Sequence, residues 1–198
     1  MKIIDMKIVV VGNPWKNWIF VKIFTDEGIE GLGECTGGLM TAPNEGSLKE
    51  LKSRIIGRDP TRVNELIDFV RKTLFLSRGG NALSGIEMAC WDIIGKTCGR
   101  PLYQLLGGKV REKIRVYANG WYQGPREPQA FAEKAAQMVE AGYTALKFDP
   151  FGKAYKFMSR EEEILSMDIV RAVRRTVGEQ VDLMIEAHDR FSLSQAVR

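Results

Sequence analysis

Short runs of β-branched and aromatic residues open the chain. Ile3 to Val11 and Trp18 to Thr25 read as strands, and Asp26-Glu27-Gly28 supplies turn residues before a third run, Ile29 to Glu34. Together they predict a three-stranded antiparallel meander. Asn13-Pro14 marks the first turn, and its tip, Pro14-Trp15-Lys16-Asn17, places a large aromatic where a lid over a pocket would use it. Helical spacing then takes over. Ser47 to Ile56 and Thr61 to Thr73 carry apolar residues three and four apart, and Pro60 beside Asp59 makes a helix start. Asn81 can cap a third helix through Lys96, with Gly99 and Pro101 where a helix should stop and Ile86, Trp91 and Ile94 as its buried stripe. Residues 1–111 therefore predict an α+β domain, a small sheet packed on helices.

The order becomes strictly alternating over residues 112–198. Val116 to Gly120 is an expected strand and Pro128 to Ala141 a helix. Thr144 to Asp149 is a second strand, Glu161 to Val177 a second helix, Val181 to Glu186 a third strand, and Ser192 begins a third helix. Such alternation implies parallel βαβ units with right-handed crossovers. Units of about 30 residues fit either a doubly wound sheet or a (β/α)₈ barrel, and in both folds function sits at the carboxyl ends of the strands. Read as a barrel, the chain reaches only about the third of the eight units. A part-barrel would leave an unpaired strand edge and expose Leu146, Phe148, Leu183 and Ile185, so we expect a longer polypeptide.

Composition narrows the class. With 44% hydrophobic and 27% charged residues, the chain can bury a core. No apolar run approaches the roughly 20 residues needed to span a bilayer. The start interleaves Lys2, Asp5 and Lys7 with aliphatics, unlike a signal peptide, so a cytoplasmic protein with no membrane partner is expected. Cys35, Cys90 and Cys98 form neither a CxxC pair nor a zinc spacing and are expected as reduced thiols. The net charge of +4 is scattered, which argues against nucleic acid as a partner.

Polar residues gather at the expected strand ends: Asn119, Lys147, Asp149, Glu186 and His188. Alternation along a strand puts Lys147 with Asp149 on one face and Glu186 with His188 on one face. Two carboxylates, an amine and the chain's single histidine would then share one mouth. Spacing alone is equally compatible with solvated or paired side chains and a structural histidine.

Several segments carry a resemblance. Tyr117-Ala118-Asn119-Gly120-Trp121-Tyr122-Gln123, Ala145-Leu146-Lys147-Phe148-Asp149-Pro150-Phe151-Gly152 and Ile185-Glu186-Ala187-His188-Asp189-Arg190-Phe191 resemble the mandelate racemase branch of the enolase superfamily, closest to its gluconate and galactonate dehydratases. Trp91 to Lys96, Pro101 to Gly108 and Asp26 to Glu34 resemble the same branch. The resemblance implies a capping domain over residues 1–111 and the first part of a (β/α)₈ barrel over residues 112–198. It implies magnesium held by carboxylates at three consecutive strand ends, with the substrate carboxylate bound to it.

By the same resemblance Glu186 falls at the first of these ligand positions, and His188 matches the histidine that protonates the leaving hydroxyl. Glu186 stands where the family usually has aspartate, one methylene shorter. Asp149, expected to contact substrate, stands where racemases and cycloisomerases of the branch carry a second lysine, which favours dehydration with a base supplied elsewhere. That base and the remaining metal ligands are expected beyond residue 198, so these residues alone should be inactive. Asn17 matches a substrate-touching position in related mannonate dehydratases, or it simply serves the turn. Lys147 either contacts substrate or pairs with Asp149 or Glu186. Arg78-Gly79-Gly80 is a polar loop or a plain connector.

The expected function is thus the amino-terminal portion of a sugar-acid dehydratase. It would act on a small aldonic acid such as gluconate or galactonate, in a homo-oligomer like others of the family. A racemase or cycloisomerase, or a non-catalytic binding module, are the alternatives.

Overall fold

The computed structural model describes residues 1–12, 16–38, 40–73 and 80–197. They form two compact units, Met1–Val110 and Arg111–Arg198. The expected lid residues Pro14 and Trp15, and Arg78 and Gly79 of the polar loop, lie outside the described residues.

In the first unit, β1 (Ile3–Gly12), β2 (Asn17–Thr25) and β3 (Glu30–Glu34) form an antiparallel sheet in that order. Met6 faces Ile23, Ile8 faces Val21, and Val21 in turn faces Gly33. Ile19, Val21, Ile23 and Thr25 alternate inward along β2, as a half-buried strand requires. Gly28 sits at φ 78°, in the left-handed region that its turn demands.

Three helices cover the buried face: α1 (Thr41–Ile55), α2 (Val63–Thr73) and α3 (Gly80–Cys98), followed by the short α4 (Leu102–Leu105). The first helix starts six residues before the Ser47 expected from spacing. Its buried stripe begins only at Leu48, so the opening turn carries no apolar signal, and Pro43 is tolerated there because first-turn N–H groups lack helical partners anyway. The buried stripe of α3 is Leu83, Ile86, Cys90 and Ile93, with Ala82 and Ala89. Of the residues expected in it, Ile86 belongs, whereas Trp91 and Ile94 sit partly buried at its margin. Helix α3 lies almost on the backbone of β3. A Cβ on Gly33 would stand 1.9 Å from the Gly85 carbonyl oxygen, and one on Gly31 2.1 Å from that of Ala89.

In the second unit, β4 (Ala145–Phe148) pairs in parallel with β5 (Asp182–Ile185). Helices α5 (Pro128–Glu140) and α6 (Arg160–Val177) pack beside them, and α7 (Leu193–Ala196) follows with Ser192 as its N-cap. A capping box starts α6: Ser159 accepts from Glu162 N–H, and Glu162 accepts from Ser159 N–H. Gly178 closes the helix at φ 74°.

The expected strand Val116–Gly120 is reduced to one bridge, Ala118 to Leu146. Ala118 N–H donates to Ala145 O and its carbonyl accepts from Lys147 N–H, while Val116 and Tyr117 stay exposed and Gly120 turns the chain at φ 74°. The pleat separates the faces of β4. Leu146 and Phe148 are fully buried with Phe131, Ala135, Ile169 and Val173, and Lys147 points to the other side. The expected exposure of Leu146 and Phe148 is therefore corrected, because α5 and α6 cover them. Leu183 packs against the same cluster, and only Ile185 is exposed, at 42%.

Candidate functional site

The carboxyl ends of β4 and β5 bring four charged side chains and an imidazole together. Lys147 lies in β4 and Asp149 just beyond it. Glu186 follows β5 directly, and its N–H still donates to Phe148 O at 2.9 Å, so the parallel ladder holds the two ends side by side.

Lys147 Nζ forms an ion pair with Glu186 Oε2. The other oxygen, Oε1, accepts from the His188 N–H at 2.9 Å. Lys147, with that amide behind it, holds the Glu186 carboxyl at about 2, well below the usual carboxylate range, so the group is ionised at any physiological pH. Glu186 reciprocally raises the Lys147 ammonium.

Asp149 is enclosed, with 12% of its side chain exposed. Arg190 Nη2 lies 2.8 and 2.7 Å from its two oxygens, and Oδ1 also accepts from Phe151 N–H at 2.9 Å. His188 Nδ1 stands 3.3 Å from Oδ2, while 60% of the His188 side chain remains exposed. Of the partners open to Lys147, the structure shows Glu186, whereas Asp149 pairs with Arg190 and lies beside His188.

Backbone geometry explains how residue 188 reaches Asp149. His188 and Asp189 adopt φ 52° and 53°, and Arg190 N–H donates to Ala187 O at 3.2 Å. Left-handed residues at both central positions are the pattern of a type I′ turn. Histidine and aspartate are among the few non-glycine residues enriched there. Arg190 secures the turn from outside, donating through Nε to Ala187 O at 3.0 Å and through Nη1 to Gly152 O at 2.9 Å. Phe151 and Phe191 meet edge to face, centroids 4.9 Å apart, and bind the same two loops. Arg190 is the residue that spacing overlooked. Its only signal is an arginine two positions after His188 that can return to Asp149 once the chain turns back.

Asn17 lies in the first unit, where its amide donates to Thr41 Oγ1 at 3.1 Å. Burial pushes the Cys35 thiol up to about 11 and that of Cys90 to about 12, so neither is a nucleophile at neutral pH.

As a metal centre, the set is partial. Glu186 is an ionised oxygen donor suited to a hard divalent cation. Among the described residues, however, no group of three or more His, Cys, Asp or Glu side chains could hold a metal ion. The residues present fit one ligand position only. Among the described residues no helix is long and apolar enough to cross a membrane.

An antiparallel meander covered by helices, followed by a separate unit of parallel βα repeats with charged side chains at their strand ends, defines a two-unit chain of the α+β and α/β classes. The chain belongs to the mandelate racemase/muconate lactonizing enzyme family of the enolase superfamily. Residues 5–107 match its N-terminal domain, and residues 130–198 match the enolase C-terminal domain-like family. A D-gluconate dehydratase of Thermoproteus tenax is 43% identical over 92% of this chain and 38% of its own length. A D-gluconate/D-galactonate dehydratase of Picrophilus torridus is 38% identical over 94% of this chain and 49% of its own. The solved structure of an enolase superfamily member from Salmonella Typhimurium superposes with a TM-score of 0.90 at 34% identity, covering 99% of this chain and 57% of that one. The chain spans about half the length, or less, of the curated relatives it matches.

Proposed function

We propose that the chain is the amino-terminal part of a magnesium-dependent dehydratase of aldonic acids such as gluconate or galactonate, yielding a 2-keto-3-deoxy acid. The observation that carries this reading is the placement of Glu186 and His188 at one strand end, in a chain whose relatives are named as dehydratases of such acids. Glu186 would hold one position on magnesium as an oxygen ligand, with further ligands needed from outside the described residues. Magnesium, if bound there, would supply positive charge to the substrate carboxylate.

His188 donates the proton that lets the hydroxyl depart as water. Its side chain is largely exposed, so a substrate oxygen can approach the ring. Lys147 balances the charge of Glu186 and can turn toward a substrate oxygen when a cation takes its place. Asp149 argues against a racemase: the position offers no amine to remove a second proton, and its oxygens already accept hydrogen bonds.

The test is to express the full open reading frame that carries this chain and assay a panel of aldonic and aldaric acids with magnesium for 2-keto-3-deoxy products. No turnover of any acid sinks the proposal. His188→Asn keeps a residue that tolerates the left-handed turn. We expect it to lower dehydration by at least 10²-fold while exchange of the substrate α-proton with solvent persists.

A further inference from the structure

We propose that Asp149, anchored by Arg190, is a positioning residue that holds His188 through Nδ1 and so presents Nε2 as the proton-donating nitrogen. The inference rests on the dehydratase reading for its chemistry but on the geometry alone for its placement. Three observations converge. Asp149 Oδ2 stands 3.3 Å from Nδ1. Both Asp149 oxygens lie within hydrogen-bond distance of Arg190 Nη2, which cannot lose its charge at ordinary pH. And the imidazole sits on a backbone with two successive left-handed non-glycine residues, a strained arrangement that persists only if its surroundings hold it.

Those surroundings are mostly Arg190. It ties the turn to the end of β4 through Asp149 and to the following loop through Gly152 O, while its own carbonyl accepts from Lys156 N–H at 2.8 Å. The chain thus spends a carboxylate at the rim on orienting a histidine instead of contacting substrate. The tautomer follows, because a ring nitrogen facing a carboxylate carries the proton.

In the reaction the substrate C–O bond breaks with its electron pair going to oxygen. That oxygen takes the proton from Nε2 and leaves as water. The ring, doubly protonated before the transfer, is left neutral with its remaining proton on Nδ1, the nitrogen that faces Asp149. Without Asp149 a ring of either tautomer and any rotation competes for the same role.

His188 is the only histidine in the chain, so a sample labelled with ¹⁵N-histidine reports one imidazole. At alkaline pH, where imidazoles are neutral, we expect ¹⁵N NMR of the chain to show Nδ1 protonated and Nε2 unprotonated. Asp149→Ala should reduce the Nδ1-protonated form several-fold, and Arg190→Gln should reduce it partly. A ring protonated at Nε2 in the unaltered chain overturns the proposal, whether or not either variant folds. So does an unchanged tautomer in a folded Asp149→Ala chain.

In the protein from the full reading frame, Asp149→Ala should lose dehydration by about 10²-fold while α-proton exchange persists. Equal loss of both marks a purely structural role and overturns the proposal as well. Failure of the dehydratase reading looks different: no acid sugar is turned over by the unaltered protein, whatever the tautomer.

Discussion

Adding one methyl group to Gly33 should separate two elements that now touch. The new Cβ would lie 1.9 Å from the Gly85 carbonyl oxygen, 2.9 Å from its carbon and 3.0 Å from Ala89 N, all of them backbone atoms of α3 that no rotamer change can move. Ordinary contact requires β3 and α3 to part by about 1.5 Å at this point, and a radial gap of even about 1 Å already forfeits up to half of each dispersion contact it opens. Leu83, Ile86, Cys90 and Ile93 all line the face that would lift away. Overpacking of this kind costs roughly 1–3 kcal/mol, and with the lost contacts we expect about 3 kcal/mol for Gly33→Ala. That is a large share of the roughly 5–15 kcal/mol that holds a domain together.

Urea unfolding followed by circular dichroism should show a midpoint lowered by about 1 M. Hydrogen exchange should accelerate in β3 and α3 before α5 and α6. Gly46→Ala is the control, since a Cβ there meets nothing within 4 Å inside α1. It should stabilise by about 0.5–1 kcal/mol through helix propensity. A Gly33→Ala midpoint equal to that of the unaltered chain would refute the close contact and the reasoning built on it.

Other expectations follow from single contacts. Leu146→Ala removes a fully buried side chain beneath α5 and α6 and should cost about 3 kcal/mol, read from the urea transition of the second unit. Ser159→Ala deletes the capping box of α6 and should cost about 1 kcal/mol, with faster hydrogen exchange confined to the first turn; exchange unchanged there refutes the cap. Glu186 gives an acid limb. Its folded value of about 2 lies below its usual 4.5, so the stability it contributes is fully present above about pH 4.5 and is lost as pH falls toward 2. Lys147→Met removes the largest cause of that depression, and its urea midpoint should fall less steeply over that window than that of the unaltered chain.

Much of this molecule was legible as periodicity. Ile19, Val21 and Ile23 alternate as a half-buried strand must, and Leu165, Ile169 and Val173 keep the helical step that buries α6. Where periodicity is silent, expectation and structure part. The first turn of α1 buries nothing, so Leu48 was its earliest apolar sign. Val116–Gly120 has strand-like composition, yet hydrogen-bonded partners meet it only at Ala118, and composition alone does not report a missing neighbour. At the rim, alternation grouped Lys147 with Asp149 and left the partner of Lys147 open, and the structure pairs it with Glu186. Alternation assumed an extended chain through His188, whereas a left-handed turn brings the ring to Asp149 and hides Arg190 behind it. Long-range closure of that kind depends on three-dimensional neighbours that spacing does not encode.

The paired charges at the strand ends have an electrostatic consequence. Lys147 cancels Glu186 and Arg190 cancels Asp149, so these four side chains present no net monopole to a distant solute. Their field is that of short dipoles, which fades faster with distance than that of a lone charge. An anion diffusing toward them is therefore not drawn in by these groups, and attraction begins only when a pair is pulled open at close range.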